Sequence, residues 1–191
     1  LHDALPICWK KKQILFLRQL VRRDWNRKGR IEMALTEVKK YFRQFGMEDR
    51  VLELSESSAT VELAANALGC EPARIAKTLS FSMEGKPVLL VTAGDAKVDN
   101  AGYKARFHQK AKMLTPQEAL ELIGHPVGGV CPFAVKPGVS VYLDESLRRF
   151  KTVFPACGSG NSAIELTIPE LERYSGALEW VDVCKGWRGE A

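Results

Sequence analysis

Two stretches of strand-like composition, 77–83 and 87–92, stand on either side of Glu84-Gly85, and this spacing constrains the fold more than any other feature. A glycine pair-partner tolerates the positive φ of a tight turn, so the two runs predict an antiparallel hairpin. The rest of the chain is punctuated just as regularly. Leu35, Val38, Phe42 and Phe45 recur at helical spacing before Gly46, and Val61, Ala64, Ala65 and Leu68 do so before Gly69. Thr115-Pro116-Gln117-Glu118 and Thr167-Ile168-Pro169-Glu170 carry the Thr and Glu of a capping box, with helices expected to run on to Gly124 and Gly176. A further helix is expected over 100–107, and strands over 51–54, 139–143, 152–156, 162–167 and 178–184. Strands outnumber helices, and most connections between neighbouring strands are too short for parallel crossovers. The pattern reads as one α+β domain with a mixed sheet and helices packed outside it.

Charge is distributed unevenly. Residues 1–32 hold nine Lys/Arg against three acidic groups, a net +6, whereas 33–191 carries 19 basic and 20 acidic groups. The overall +5 is therefore no signature of a nucleic-acid-binding body. The basic leader 1–32 lacks the long apolar core and small-residue cleavage site of a signal peptide, and its charges do not segregate onto one helical face. It is expected to lie outside the native domain, leaving 33–191 as a single domain. No apolar run approaches the roughly 20 residues of a membrane span. Five cysteines without a C-x-x-C pair and three histidines without i, i+4 spacing fit neither a disulfide framework nor a zinc site. The expectation is a cytoplasmic, reduced protein with no metal and no cofactor.

Three places could carry chemistry. In a strand from 77 to 81, Lys77 shares its face with Leu79 and Phe81. An ammonium there needs a partner or an open pocket, unless it snorkels to solvent from the strand end. The second is the Gly/Pro-rich stretch from Gly124 to Pro132, with Gly128, Gly129, Val130 and Cys131; it matches neither a Walker loop nor a dinucleotide fingerprint. Its glycines would let backbone dipoles approach a ligand. Cys131 has no base supplied by any signature and His125 precedes a proline, so both read as structural. The third is the turn 156–161, where Gly158, Ser159 and Asn161 are equally ordinary turn residues and possible ligand contacts.

Taken together, Thr60-Val-Glu-Leu-Ala-Ala-Asn-Ala-Leu-Gly69, Ile75-Ala-Lys77-Thr-Leu, Gly128-Gly-Val-Cys-Pro132 and Ile164-Glu-Leu166 resemble, in order and spacing, the YbaK/EbsC family of prolyl-tRNA-synthetase-associated editing proteins. The resemblance covers roughly 47–186. It implies a mixed, partly closed, barrel-like sheet with helices outside, and a metal-free deacylase hydrolysing mischarged aminoacyl-tRNA. It further implies an essential role for Lys77, a pocket lined by the backbone of Gly128 to Pro132, and Thr60 at its border. A prolyl-tRNA synthetase is the implied partner. The chain departs from the cysteine-specific branch, which has a serine and an aspartate where this chain has Ala156 and Ala163. That points to a small residue such as alanine or cysteine on tRNA(Pro) without choosing between them.

Lys97, Lys104, Arg106, Lys110 and Lys112 against Asp99 give +4 over 97–112, a stretch expected to meet the tRNA. A different class of reading keeps the same pocket in a non-catalytic adaptor that binds aminoacyl-tRNA or an aminoacyl-adenylate beside a synthetase. Turnover separates the two: a binder protects the ester and an enzyme consumes it.

Overall fold

The computed structural model describes residue 29, residues 31–55 and residues 60–189; the basic leader falls almost entirely outside them. The first helix, α1, covers 31–43 and so runs across position 32. It is followed by β1 (Val51–Glu53), α2 (Val61–Leu68), β2 (Ile75–Met83), β3 (Lys86–Ala93), β4 (Lys97–Val98), α3 (Asn100–Phe107) and α4 (Pro116–Leu122). The second half contains β5 (Ser140–Asp144), β6 (Thr152–Pro155), β7 (Ser162–Ile164), β8 (Leu166–Thr167), α5 (Ile168–Ser175), β9 (Glu179–Val181) and β10 (Cys184–Lys185).

Local chemistry sets most boundaries. Glu84 and Gly85 both take positive φ, 51° and 79°, which closes the β2–β3 hairpin in the sense that matches strand twist. Thr115 and Thr167 each accept from the N–H of the glutamate three residues on, and that glutamate reaches back to the cap N–H. Gly69 and Gly176 end α2 and α5 in the left-handed conformation.

The main sheet has the order β8-β6-β2-β3-β5-β9 and is strongly curled into a half-barrel. The hairpin β2–β3 and the pair β6–β8 are antiparallel, while β2–β6, β3–β5 and β5–β9 are parallel. Two small antiparallel pairs, β1–β7 and β4–β10, extend it. The sheet is thus mixed, in an α+β fold with its helices outside. Two expected strands are each divided. Within 162–167, Glu165 is exposed and separates β7, which pairs with β1, from β8, which pairs with β6. Within 178–184, Asp182 and Val183 leave the ladder between β9 and β10; Val183 N–H donates to Asp144 Oδ2 at 3.1 Å.

The core lies between the curled sheet and α1, α3 and α5. Phe42 of α1 is fully buried and packs edge-on against Phe133, with ring centroids 4.8 Å apart. Burying a side chain of that size contributes about 1.5–3 kcal/mol. Tyr41 donates to Tyr174 O at 2.7 Å, fastening α1 to α5. Phe45, expected on the same face, falls in the turn after α1 and is 39% exposed.

Candidate active site

On one side β2 is paired with β3 from Ala76 to Met83. Its other edge is covered twice. β6 covers Ile75 and Ala76, and the segment 112–114 covers the far end, with Ser82 N–H donating to Lys112 O at 2.8 Å and Leu114 N–H to Ser80 O at 3.0 Å. Between these two covers, around residues 77–79, lies a cavity of about 260 Å³. Val61, Ala64 and Leu68 of α2 form one wall and Phe154, Ala156 and Ala163 another. The half-exposed or exposed side chains of Met113 and Val127 stand at its mouth. Thr60 caps α2 at the same place, accepting from Leu63 N–H at 3.2 Å.

Lys77 lines this cavity and does not simply snorkel to solvent. Its Nζ donates to Gly94 O at 3.2 Å and to Ala96 O. Gly94 can only be glycine here, because a Cβ would collide with the carbonyl of Pro72 and the side chain of Val61. Burial pulls the lysine below its ordinary pKa, and the nearby Asp95 carboxylate works against that. Two of the three ammonium protons are held by carbonyls, leaving the third for a ligand oxygen.

The structure brings together only some of the residues singled out in the sequence. Thr60, Lys77, Gly128 and Val130 line the cavity, and Gly129, Cys131, Pro132, Gly158, Ser159 and Asn161 are not among its lining residues. Gly129 is buried against the third turn, where a Cβ would come within 2.6 Å of Gly158 C and O. Ser159 is fully buried, its Oγ 2.9 Å from Asn161 Oδ1 and 2.7 Å from Ser162 Oγ. Asn161 Nδ2 donates to Leu54 O at 3.2 Å and Leu54 N–H to Asn161 O at 2.7 Å, so this turn joins β7 to the end of β1.

Cys131 is fully buried, and burial pushes its thiol up to about 12, which keeps it protonated at neutral pH. Its N–H donates to His125 Nδ1 at 3.4 Å, so the His125 ring carries its proton on Nε2. Burial pulls that imidazole down to about 4. His125 faces a separate hollow of about 530 Å³ beside α1 and α4. Neither group has the character of a nucleophile or base.

Lys97, Lys104, Arg106, Lys110 and Lys112 are exposed. Arg106, however, pairs with Glu179 of β9 and lies 5.3 Å over the Phe107 ring. Lys112 adjoins Met113 at the cavity mouth. Sequence reasoning did not place Thr78, Ser80, Met113 or Phe154 at the cavity. Alternation along the strand sets Thr78 and Ser80 on the face opposite Lys77, so it did not point to them, and no periodicity marks Met113. Ala156 and Ala163 stood out only as departures from a branch; the structure makes them partners in an isolated antiparallel bridge in the cavity wall. Among the described residues no group of three His, Cys, Asp or Glu is placed to hold a metal ion, and no helix is long and apolar enough to cross a membrane.

A half-barrel with a lysine set in a cavity at an interrupted strand edge is the frame of a tRNA-editing domain. Residues 55–174 match the aminoacyl-tRNA editing domain family, and the chain belongs to that family; it is a hydrolase of the aminoacyl-tRNA ester. It is 54% identical over 156 residues, 81% of this chain and 99% of the relative, to the uncharacterized protein YwhH of Bacillus subtilis strain 168. EbsC of Enterococcus faecalis, named as a candidate Cys-tRNA(Pro)/Cys-tRNA(Cys) deacylase, is 30% identical over 114 residues, 59% of this chain and 70% of EbsC. The proline–tRNA ligase of Thermotoga maritima is 33% identical over 93 residues, 48% of this chain and 16% of the ligase. A crystal structure described as a candidate trans-editing enzyme for prolyl-tRNA synthetase superposes with a TM-score of 0.73 at 29% identity, covering 80% of this chain and 98% of the other.

Proposed function

We propose that the protein is a trans-editing deacylase that removes a small amino acid, alanine in preference to cysteine, from mischarged tRNA(Pro). The observation that carries the choice of amino acid is the Ala156–Ala163 bridge in the cavity wall. The cysteine-specific branch has a polar pair at these two positions, and methyl groups there offer a thiol or hydroxyl no hydrogen bond. The similarity to EbsC and to a segment of a proline–tRNA ligase supports tRNA(Pro) as the carrier. In this reading 33–191 is a single editing domain acting free of a synthetase chain, and prolyl-tRNA synthetase is the partner that generates its substrate.

Lys77 holds an oxygen of the terminal adenosine or the ester carbonyl with its third N–H, and Gly128 and Val130 border the ester from the loop. A water adds to the carbonyl carbon, the bond to the ribose oxygen breaks, and that oxygen takes up a proton to regenerate the tRNA hydroxyl. The neighbouring ribose hydroxyl activates the water, since neither His125 nor Cys131 faces this cavity. Orientation and electrostatics then supply the rate acceleration.

The test is deacylation of tRNA(Pro) charged with Ala, Cys, Ser or Pro by the full chain and by Lys77→Ala. Ala-tRNA(Pro) is expected to be hydrolysed fastest, and Lys77→Ala to lose about 10²–10³-fold in rate. Protection of the ester in place of hydrolysis would establish the adaptor reading, and an undiminished rate in Lys77→Ala would remove the lysine from the mechanism.

A further inference from the structure

The open edge of β2 has a polarity that follows from the hairpin. A two-residue turn makes Met83 and Lys86 a pair that exchanges both backbone hydrogen bonds. Such pairs alternate along an antiparallel ladder, so Phe81, Leu79 and Lys77 bond to β3, while Ser82, Ser80, Thr78 and Ala76 turn their N–H and C=O outward. Three observations agree with this phase. Pro87, which has no N–H, stands opposite Ser82, where none is needed. Ser82 N–H and Ser80 C=O are the groups that bond outward to Lys112 and Leu114. Ala76 is the residue that registers with Pro155 of β6.

Thr78 is the one outward residue between the two covers, and it lies in the cavity wall beside Lys77. Its Oγ1 is buried with no hydrogen-bond partner among the described residues. A strand edge with a donor and an acceptor turned outward and an orphaned hydroxyl at one residue is an incomplete β-pair, the arrangement that strand-adding ligands complete.

Resting on the deacylase reading, we propose that Thr78 is the main-chain subsite for the aminoacyl group. The substrate's α-ammonium donates to Thr78 C=O and its ester carbonyl accepts from Thr78 N–H, so that the amino acid pairs as one residue of an added strand. This recognises what all aminoacyl esters share and leaves the side chain to the apolar walls. Selectivity and anchoring are thereby carried by different groups.

The probe is 3′-alanylamino-3′-deoxyadenosine, whose amide resists hydrolysis, together with its 3′-propionylamino counterpart lacking the α-amine. Amide hydrogen exchange of the full chain is followed by NMR. In the free protein Thr78 N–H is expected to exchange at least ~10-fold faster than the β3-bonded Lys77 and Leu79 N–H, and to slow at least ~10-fold on saturation with the alanyl analogue. The propionyl analogue is expected to bind about 10–100-fold more weakly. A Thr78 amide as protected as its neighbours in the free protein, a bound analogue that leaves it unchanged, or equal affinities for the two analogues would each overturn the subsite. Hydrolysis of Ala-tRNA(Pro) measured alongside keeps the two readings apart. Hydrolysis with an indifferent Thr78 removes the subsite only, whereas protection of Thr78 without hydrolysis of any aminoacyl-tRNA keeps the subsite and removes the enzyme.

Discussion

Gly129 and Gly158 meet backbone to backbone: a Cβ on Gly129 would lie 2.6 Å from the carbonyl carbon and oxygen of Gly158. Gly158 in turn, at φ 85°, would carry a Cβ 2.7 Å from the backbone of Ala34 in α1. The cavity loop, the third turn and the first helix are therefore stacked through two glycines, and the loop's position depends on both. Gly129→Ala is expected to cost about 1–3 kcal/mol, because backbone cannot step aside as a flexible side chain does. Gly158→Ala is expected to cost more, since strain from its positive φ is added. Gly189→Ala, with nothing within 4 Å and no positive φ, serves as the control and is expected to change stability by under ~0.5 kcal/mol. Urea denaturation of the three variants measures this.

The alanine bridge makes a prediction about specificity. Ala163 is only 4% exposed, so Ala163→Asp alone buries a carboxylate without a partner and is expected to destabilise the protein by several kcal/mol. Adding Ala156→Ser across the bridge supplies a hydroxyl donor. The double variant is expected to recover part of the stability and to shift the deacylation ratio toward Cys-tRNA(Pro) by about 10-fold or more, the scale of one well-placed hydrogen bond. An unchanged Ala-to-Cys ratio in a folded double variant would show that this wall does not read the side chain.

Local signals explain why so much of the fold could be read in advance. Glu84-Gly85, the two Thr…Glu capping boxes and the glycines after α2 and α5 act within a few residues, and each produced the expected turn or boundary. What failed to show was long-range. Nothing local distinguishes 162–164 from 166–167, yet they pair with strands over a hundred residues and about fourteen residues away, respectively. The cavity was legible through Lys77, whose charge is unusual on an apolar strand face, and through Thr60, which the family resemblance alone singled out. Its remaining wall was not, because Met113 and Phe154 are apolar residues whose meaning comes only from where the strand edge opens.

Lys77 is expected to leave a pH signature in stability. Its folded-state pKa is lowered by burial, so between that value and the ordinary 10.5 the unfolded chain binds more protons than the folded one. Stability contributed by this site therefore rises as pH increases through that interval. Relative to Lys77→Met, the wild-type protein should gain stability as the pH is raised toward 10.5. Denaturant midpoints of the two proteins across a pH series ending at 10.5 provide the comparison.

His125 gives the opposite end of the profile. With a folded pKa of about 4 and an ordinary value of 6.5, the unfolded state takes up a proton first as the solution is acidified. Stability from this group is whole above pH 6.5, falls as pH drops toward 4, and levels off below. The total loss is at most about 3 kcal/mol. His125→Asn, whose Oδ1 can accept from Cys131 N–H in place of Nδ1, is expected to flatten the profile between pH 6.5 and 4. Deacylation at neutral pH should be little changed, because His125 does not line the Lys77 cavity.

The basic strip is divided by its own ion pairs, which sets the last prediction. Arg106 is engaged by Glu179, whereas Lys104, Lys110 and Lys112 are exposed, with Lys112 next to the cavity mouth. If this face meets the acceptor end of tRNA, each lysine that neutralises a phosphate contributes about one counterion to the salt dependence of binding. Lys104→Glu, Lys110→Glu and Lys112→Glu together should weaken tRNA binding and reduce the slope of log K against log salt by roughly 2–3. Arg106→Ala should change that slope by much less, since it frees Glu179 while removing a cation already paired. Filter binding of uncharged tRNA(Pro) across a salt series separates the outcomes. An unchanged slope in the triple variant would place the nucleic-acid contact elsewhere, while a fall of about one unit in Arg106→Ala alone would mean the surface pair opens when tRNA binds.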